Sequence, residues 1–165
     1  MVKIFNIDFR VGRCVKVALH PERDGLFILD IDLGEAKHRT IVSGLAQHVK
    51  ETDLLNKCVV IIANLKPSKF AGVLSEGMLL TAYNQEKTKF EILEASSEVK
   101  LGEQIVIEGY ENSPADILNP KQKIFEKVQV YMRTDSDKNA CFHNVKLMTS
   151  EGPIFVKSLH DALIG

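Results

Sequence analysis

The pattern of apolar runs and turn signals predicts a mainly β fold, a five-stranded barrel with an α+β extension packed on it. Three observations predict it. About five short apolar runs lie between residues 9 and 93, and turn residues bound each of them. One short helical segment falls between the third and fourth runs, so the order is β-β-β-α-β-β, that of an OB-fold, a small Greek-key barrel. Residues 105–165 exceed what such a barrel requires and read as a second packed layer.

The first strand is Phe9–Ala18, rich in β-branched Val11, Val15 and Val17, with Gly12 as the place for a bulge or bend. His20-Pro21-Glu22-Arg23-Asp24-Gly25 is a turn cluster. In the second strand, Leu26–Leu33, Leu29, Ile31 and Leu33 alternate with Asp30 and Asp32, the mark of a half-buried strand. Arg39–Ser43 is the third strand, ending at Gly44. Lys50–Asn56 has room for one or two helical turns, with Thr52 as N-cap. The continuous apolar run Cys58–Ala63 is a central strand. Asn64–Gly77, polar and containing Gly and Pro, is a loop, and Met78–Tyr83 and Phe90–Leu93 complete the barrel. Beyond it, Ile105–Ile107 is a strand and Asn119-Pro120 opens a helix over Lys121–Met132 with Ile124 and Val128 on one face. Val145–Met148 and Ile154–Val156 form a hairpin around residues 149–153. The division is 1–104 for the barrel and 105–165 for the extension.

The 165 residues fit one domain, or a small domain with an extension. No apolar run approaches the ~20 residues of a membrane span, and the first residues hold no secretory h-region. Cys14, Cys58 and Cys141 are odd in number and share no CxxC spacing, so neither a zinc site nor a disulfide framework is indicated. Free thiols suit a reducing compartment, which points to the cytoplasm. No nucleophile elbow, P-loop or zinc-protease helix occurs, no catalytic carboxylate pair can be nominated, and no cofactor is implied. Lys66-Pro67-Ser68-Lys69-Phe70 superficially matches a synthetase nucleotide loop, but its His-Ile-Gly-His companion is missing. The chain therefore reads as non-enzymatic.

The 21 basic and 22 acidic residues nearly cancel, yet they are not mixed evenly. Phe9–Pro21, Ala36–Lys50 and Leu54–Ser75 hold three cations each and no acid. Glu86–Asp116 holds eight acids against three Lys, and Ile117–Arg133 holds four cations against Glu126. Such alternation fits strands and loops that differ in charge, and equally one basic face turned to a polyanion. The segment Asn64–Met78 offers Lys for phosphates, Asn and Ser for sugar or base edges, and Gly for close backbone approach. By residues alone it also fits a solvated loop.

Four blocks carry a family resemblance: Asp8-Phe9-Arg10-Val11-Gly12-Arg13; His20-Pro21 with Asp32-Leu33-Gly34-Glu35; Arg39-Thr40-Ile41-Val42-Ser43-Gly44-Leu45; and Asn64-Leu65-Lys66-Pro67 with Lys69, Gly72, Ser75, Gly77 and Met78. It continues through Gly109-Tyr110 and Pro120–Lys127. Through them the chain resembles the endothelial monocyte-activating polypeptide II-like tRNA-binding domains of aminoacyl-tRNA synthetases and their cofactors. The resemblance implies tRNA as partner, bound by shape and backbone with little sequence choice, and a synthetase in cis or trans whose tRNA affinity it raises. It implies contacts from Arg39, Ser43, Asn64, Lys66, Lys69, Ser75 and Met78, where Met78 either rests on a base or packs the barrel. Arg39, Lys66 and Lys69 should then share one side, with Glu86–Asp116 mostly elsewhere. Lys121, Lys123 and Lys127 either extend the RNA surface or are a solvated helix face. The resemblance also implies a monomeric pseudo-dimer, the extension occupying the surface that a second subunit covers in bacterial relatives. Arg10-Val11-Gly12-Arg13-Cys14-Val15-Lys16 resembles a heptapeptide used for cytokine-like signalling after release and secretion, with Cys14 and Lys16 in place of the usual Ile and Thr. Otherwise it reads as the first barrel strand.

Overall fold

The computed structural model describes residues 3–165. Strands β1 (Phe9–Leu19), β2 (Phe27–Asp32), β3 (Arg39–Ser43) and β4 (Cys58–Ile62) pair antiparallel. β5 (Ser68–Phe70) and β6 (Val73–Ser75) form a separate hairpin, and β7 (Met78–Leu79) pairs with β4, giving the order β3-β2-β1-β4-β7. The sheet curls until its edges almost meet. Glu76 N–H donates to Thr40 O at 2.8 Å, Thr40 N–H to Glu76 Oε1 at 3.1 Å, and Val42 N–H to Ser75 Oγ at 3.0 Å. Side-chain oxygens of Ser75 and Glu76 thus accept where a neighbouring strand's carbonyls would, and the five strands make a nearly closed barrel.

A second sheet contains β8 (Thr81–Tyr83), β9 (Phe90–Ile92), β10 (Val106–Ile107), β11 (Met132–Thr134), β12 (Ala140–Phe142), β13 (Val145–Thr149), β14 (Gly152–Pro153) and β15 (Leu163–Ile164). Its order is β10-β13-β12-β11-β15-β8-β9, with β14 beside β13. The helix α1 (Ile124–Gln129) presses Ile124, Phe125 and Val128 onto it. Among the described residues, no helix is long and apolar enough to cross a membrane.

β4 explains both cores. Its five residues are all buried. Val59 and Ile61 face the barrel interior with Leu29, Ile31, Ile41 and Leu54. Cys58, Val60 and Ile62 face the other way, into a core shared with Phe9, Val11, Leu80, Ile107, Phe125, Phe142 and Leu147. Side chains alternate along a strand, so a strand buried on both faces must be apolar throughout. β2 buries one face only and keeps Asp30 and Asp32 half-exposed, as its alternation predicts.

Several expectations need correction. The register shift in β1 falls between Cys14 and Lys16, not at Gly12. Gly12 is instead a matter of space: a Cβ there would lie 2.6 Å from Ile31 Cγ2 and 2.9 Å from Leu33 Cδ2. Lys50–Asn56 makes a single 3-10 turn, Glu51–Asp53, with Lys50 at the N-cap position and Thr52 inside. The loop Asn64–Gly77 contains the β5–β6 hairpin. Met78–Tyr83 divides between the two sheets. The helix expected over Lys121–Met132 is broken at Lys123, whose φ of 49° is left-handed. Asn119 does cap, its side chain accepting from Lys121 N–H at 3.0 Å, but the turn it caps is the 3-10 segment Pro120–Gln122. Met132, buried in the second core, belongs to β11.

Candidate nucleic-acid interface

The β5–β6 hairpin stands on the barrel edge with all three β5 residues exposed. Ala71 and Gly72 form its tip, both left-handed at φ 49° and 85°, the two-residue turn that matches strand twist and that glycine favours. The tip is anchored. His20, 6% exposed, accepts Glu22 N–H at its Nδ1 (3.0 Å), so Nε2 carries the proton and donates to Ala71 O, also at 3.0 Å. This explains the His20-Pro21 block, whose role the sequence did not disclose. Lys69, opposite Leu74, and Lys66 just before the hairpin are both exposed. Phe70, 47% exposed, stands next to Lys69. Reading by composition passed over it because aromatics are sparse in the matching blocks.

Three other residues of the expected contact set are engaged internally. Asn64 is buried; its Oδ1 accepts Asp8 N–H at 3.0 Å and its Nδ2 donates to Asn6 O and Ala115 O at 2.8 and 2.9 Å. Ser75, also buried, accepts from Val42 N–H and donates to Gly77 O at 3.1 Å. Arg39 meets Glu35 with two N–H groups at 2.8 and 2.9 Å and donates from Nη1 to Ala63 O and Glu76 O. The Arg39 hydrogen bonds hold the Glu35 carboxyl below the usual carboxylate range. Ser43 ends β3 half-buried, opposite Phe27. Met78 is partly buried and packs against the second core rather than the barrel interior.

Arg39 lies in a cleft of about 560 Å³ whose lining includes Lys37, His38, Leu65 and Pro67. Leu65 and Pro67 flank Lys66, so the chain leading into the hairpin borders the Arg39 cleft, but neither Lys66 nor Lys69 lines it. Glu35, Glu76 and Asp116 line the same cleft. The acidic stretch is therefore not wholly elsewhere: its last residue, Asp116, lies beside the basic segment.

Lys121, Lys123 and Lys127 are all exposed on the extension. Arg10–Lys16 lies within β1, the middle strand of the barrel sheet, with Val11, Gly12 and Cys14 buried. Arg10 is held by Asp8 Oδ2 at 2.8 Å and Gly102 O at 3.0 Å. Burial pushes the Cys14 and Cys141 thiols up to about 11.

Comparison with known proteins places this geometry. The chain is 42% identical over 161 residues to the cytoplasmic tyrosine–tRNA ligase of Xenopus laevis, covering 96% of this chain and 30% of that protein. It is 34% identical over 163 residues to the cytoplasmic methionine–tRNA ligase of Arabidopsis thaliana, covering 99% of this chain and 20% of that protein. It thus spans less than a third of either relative. The crystal structure of the C-terminal domain of Plasmodium vivax p43 superposes with a TM-score of 0.93 at 30% identity and covers 100% of both chains. Residues 9–104 match the family described as "Putative tRNA binding domain". The chain belongs to that tRNA-binding-domain family.

Proposed function

We propose that this chain is a non-catalytic module that binds tRNA largely without sequence choice and raises the tRNA affinity of a cytoplasmic aminoacyl-tRNA synthetase, attached or associated. The observation that carries the reading is the anchored β5–β6 hairpin, which holds Lys69 and Phe70 in the open beside Lys66. A stiff, cationic, exposed arm suits phosphate contacts, which position a protein on RNA without reading sequence. Lys66 and Lys69 make these contacts, with Ser43 at the edge. Arg39, Asn64, Ser75 and Met78 serve the site by holding the barrel edge on which the hairpin stands. The relatives' names, both tRNA ligases, support the synthetase partner.

We also propose the division into a 1–104 barrel and a 105–165 extension that acts as a built-in second subunit and keeps the domain monomeric. The family match over 9–104 and the apolar outer face of β4 under the extension support this. The signalling alternative asks the Arg10–Lys16 segment to be reached by a receptor, and no feature of β1 favours it. A gel-shift titration with unfractionated tRNA at low salt tests the reading. Saturable binding to all tRNAs is expected; undetectable binding would remove it.

A further inference from the structure

The extension carries an aromatic surface remote in sequence from the hairpin. β12 and β13 are joined by His143-Asn144, both left-handed at φ 48° and 65°. Glycine would relax this turn, yet position 143 keeps a ring. His143 N–H donates to Tyr131 O at 3.0 Å, tying the two backbones together. Their rings stack with centroids 4.4 Å apart at 24°. Buried Phe142 braces the pair edge-on, 6.3 Å from Tyr131 and 4.6 Å from His143. Tyr131 nonetheless stays 44% exposed, and neighbouring Val130 is 71% exposed. An adjacent cleft of about 500 Å³ is lined by Tyr131, His143, Asn144, Arg133 and His160. Asp135 and Asp161 line it too, but Asp135 Oδ1 is occupied by Asp137 and Asn139 N–H groups, and Asp161 pairs with Arg133 at 3.4 Å.

We propose that the Tyr131–His143 stack is a subsite on which one unpaired base of the bound tRNA stacks. The proposal rests on the tRNA-binding reading and deepens it. An exposed, braced ring face suits an unstacked base, because every base has a π-face. Arg133 meets Asp161 through Nη1 alone, so its Nε and Nη2 face can donate to an adjoining phosphate, and Asn144 and His160 supply hydrogen-bonding groups for a base edge. The segment that leads into the stack, Ile117–Arg133, carries Lys121, Lys123, Lys127 and Arg133 against Glu126, which favours RNA over a protein as occupant.

The test uses the whole chain with unfractionated tRNA and with a short single-stranded RNA carrying 2-aminopurine. Tyr131→Ala should weaken binding of both about fivefold to a hundredfold, without changing the salt dependence, because a stack carries no charge. Tyr131→Phe should bind like the parent, and the parent should quench 2-aminopurine. His143→Gly, which relaxes the turn and leaves the core untouched, should reduce the quenching even if Tyr131→Ala proves unstable. If the parent binds tRNA but Tyr131→Ala and His143→Gly bind both RNAs as tightly as the parent, the subsite is refuted while the tRNA-binding reading stands; the surface would then belong to a protein contact. If the parent binds no tRNA, both fall.

Discussion

Asn64 shows how a residue conspicuous in sequence can serve the fold rather than the ligand. Its amide is enclosed and joins three backbone groups from distant segments, at Asn6, Asp8 and Ala115. Asn64→Ala would leave the buried Asp8 N–H and the Ala115 carbonyl without partners, while the Asn6 carbonyl keeps the Ala115 N–H at 3.1 Å, at a cost on the order of 3 kcal/mol. Thermal melting should show a loss of roughly 6–12 °C for a domain of this size. Glu35 gives a pH signature. Its carboxyl is held below its ordinary value by Arg39, so the pair stabilises the fold above that ordinary value, near 4.5. The contribution is lost as pH falls through the lowered value. Melting temperature should therefore fall on acidification below about pH 5, and Glu35→Gln should shrink that fall; an unchanged acid limb would separate Glu35 from stability. The sequence named Arg39 and Asn64 as important, but residue type alone does not distinguish a guanidinium facing solvent from one closed by Ala63 O, Glu76 O and Glu35.

At the scale of elements, the hairpin depends on an anchor. The His20 bond to Ala71 O ties the β1–β2 turn to the hairpin tip. His20→Ala should leave the barrel folded but let the arm move, lowering the fraction of molecules with Lys69 correctly placed. An affinity loss of about twofold to tenfold for tRNA is expected, measured at a temperature where the melting profile shows the variant still folded. The long strands were legible because they obey a period: β2 and β3 appear where alternation and turn residues put them, and β4 announces its two buried faces by five apolar residues in succession. Strands β5, β6, β11, β12 and β15 were not legible, since two or three residues cannot display a period and their pairing partners are set by tertiary contact. The same limit hid the break at Lys123. A helix pattern ran on to Met132, but Met132 is needed in the second core and the chain turns to deliver it.

At the scale of the molecule, barrel and extension share a core. Val11, Val60 and Ile62 of the barrel pack with Phe125, Phe142 and Leu147 of the extension. β8 and β9 lie in the same sheet as β11 and β15. The whole chain should therefore melt in one cooperative transition, and a fragment ending at residue 104 should expose that apolar face and self-associate. Sedimentation that found a stable monomeric fragment would overturn the proposal that the extension acts as a second subunit. The near-cancelling total charge also changes meaning at this scale. It is resolved into an exposed Lys arm and an internally neutralised cleft, where Glu35, Glu76 and Asp116 lie around Arg39.

The central claim, that tRNA is held chiefly through phosphates on this arm, is tested most directly by titrating tRNA affinity against salt for the parent and for the Lys66→Ala, Lys69→Ala double variant. A few neutralised phosphates predict a log–log slope of about −3 to −5 for the parent. The double variant should flatten that slope by roughly one to two and weaken all tRNAs alike. An unchanged slope, or a loss confined to one isoacceptor, would contradict it.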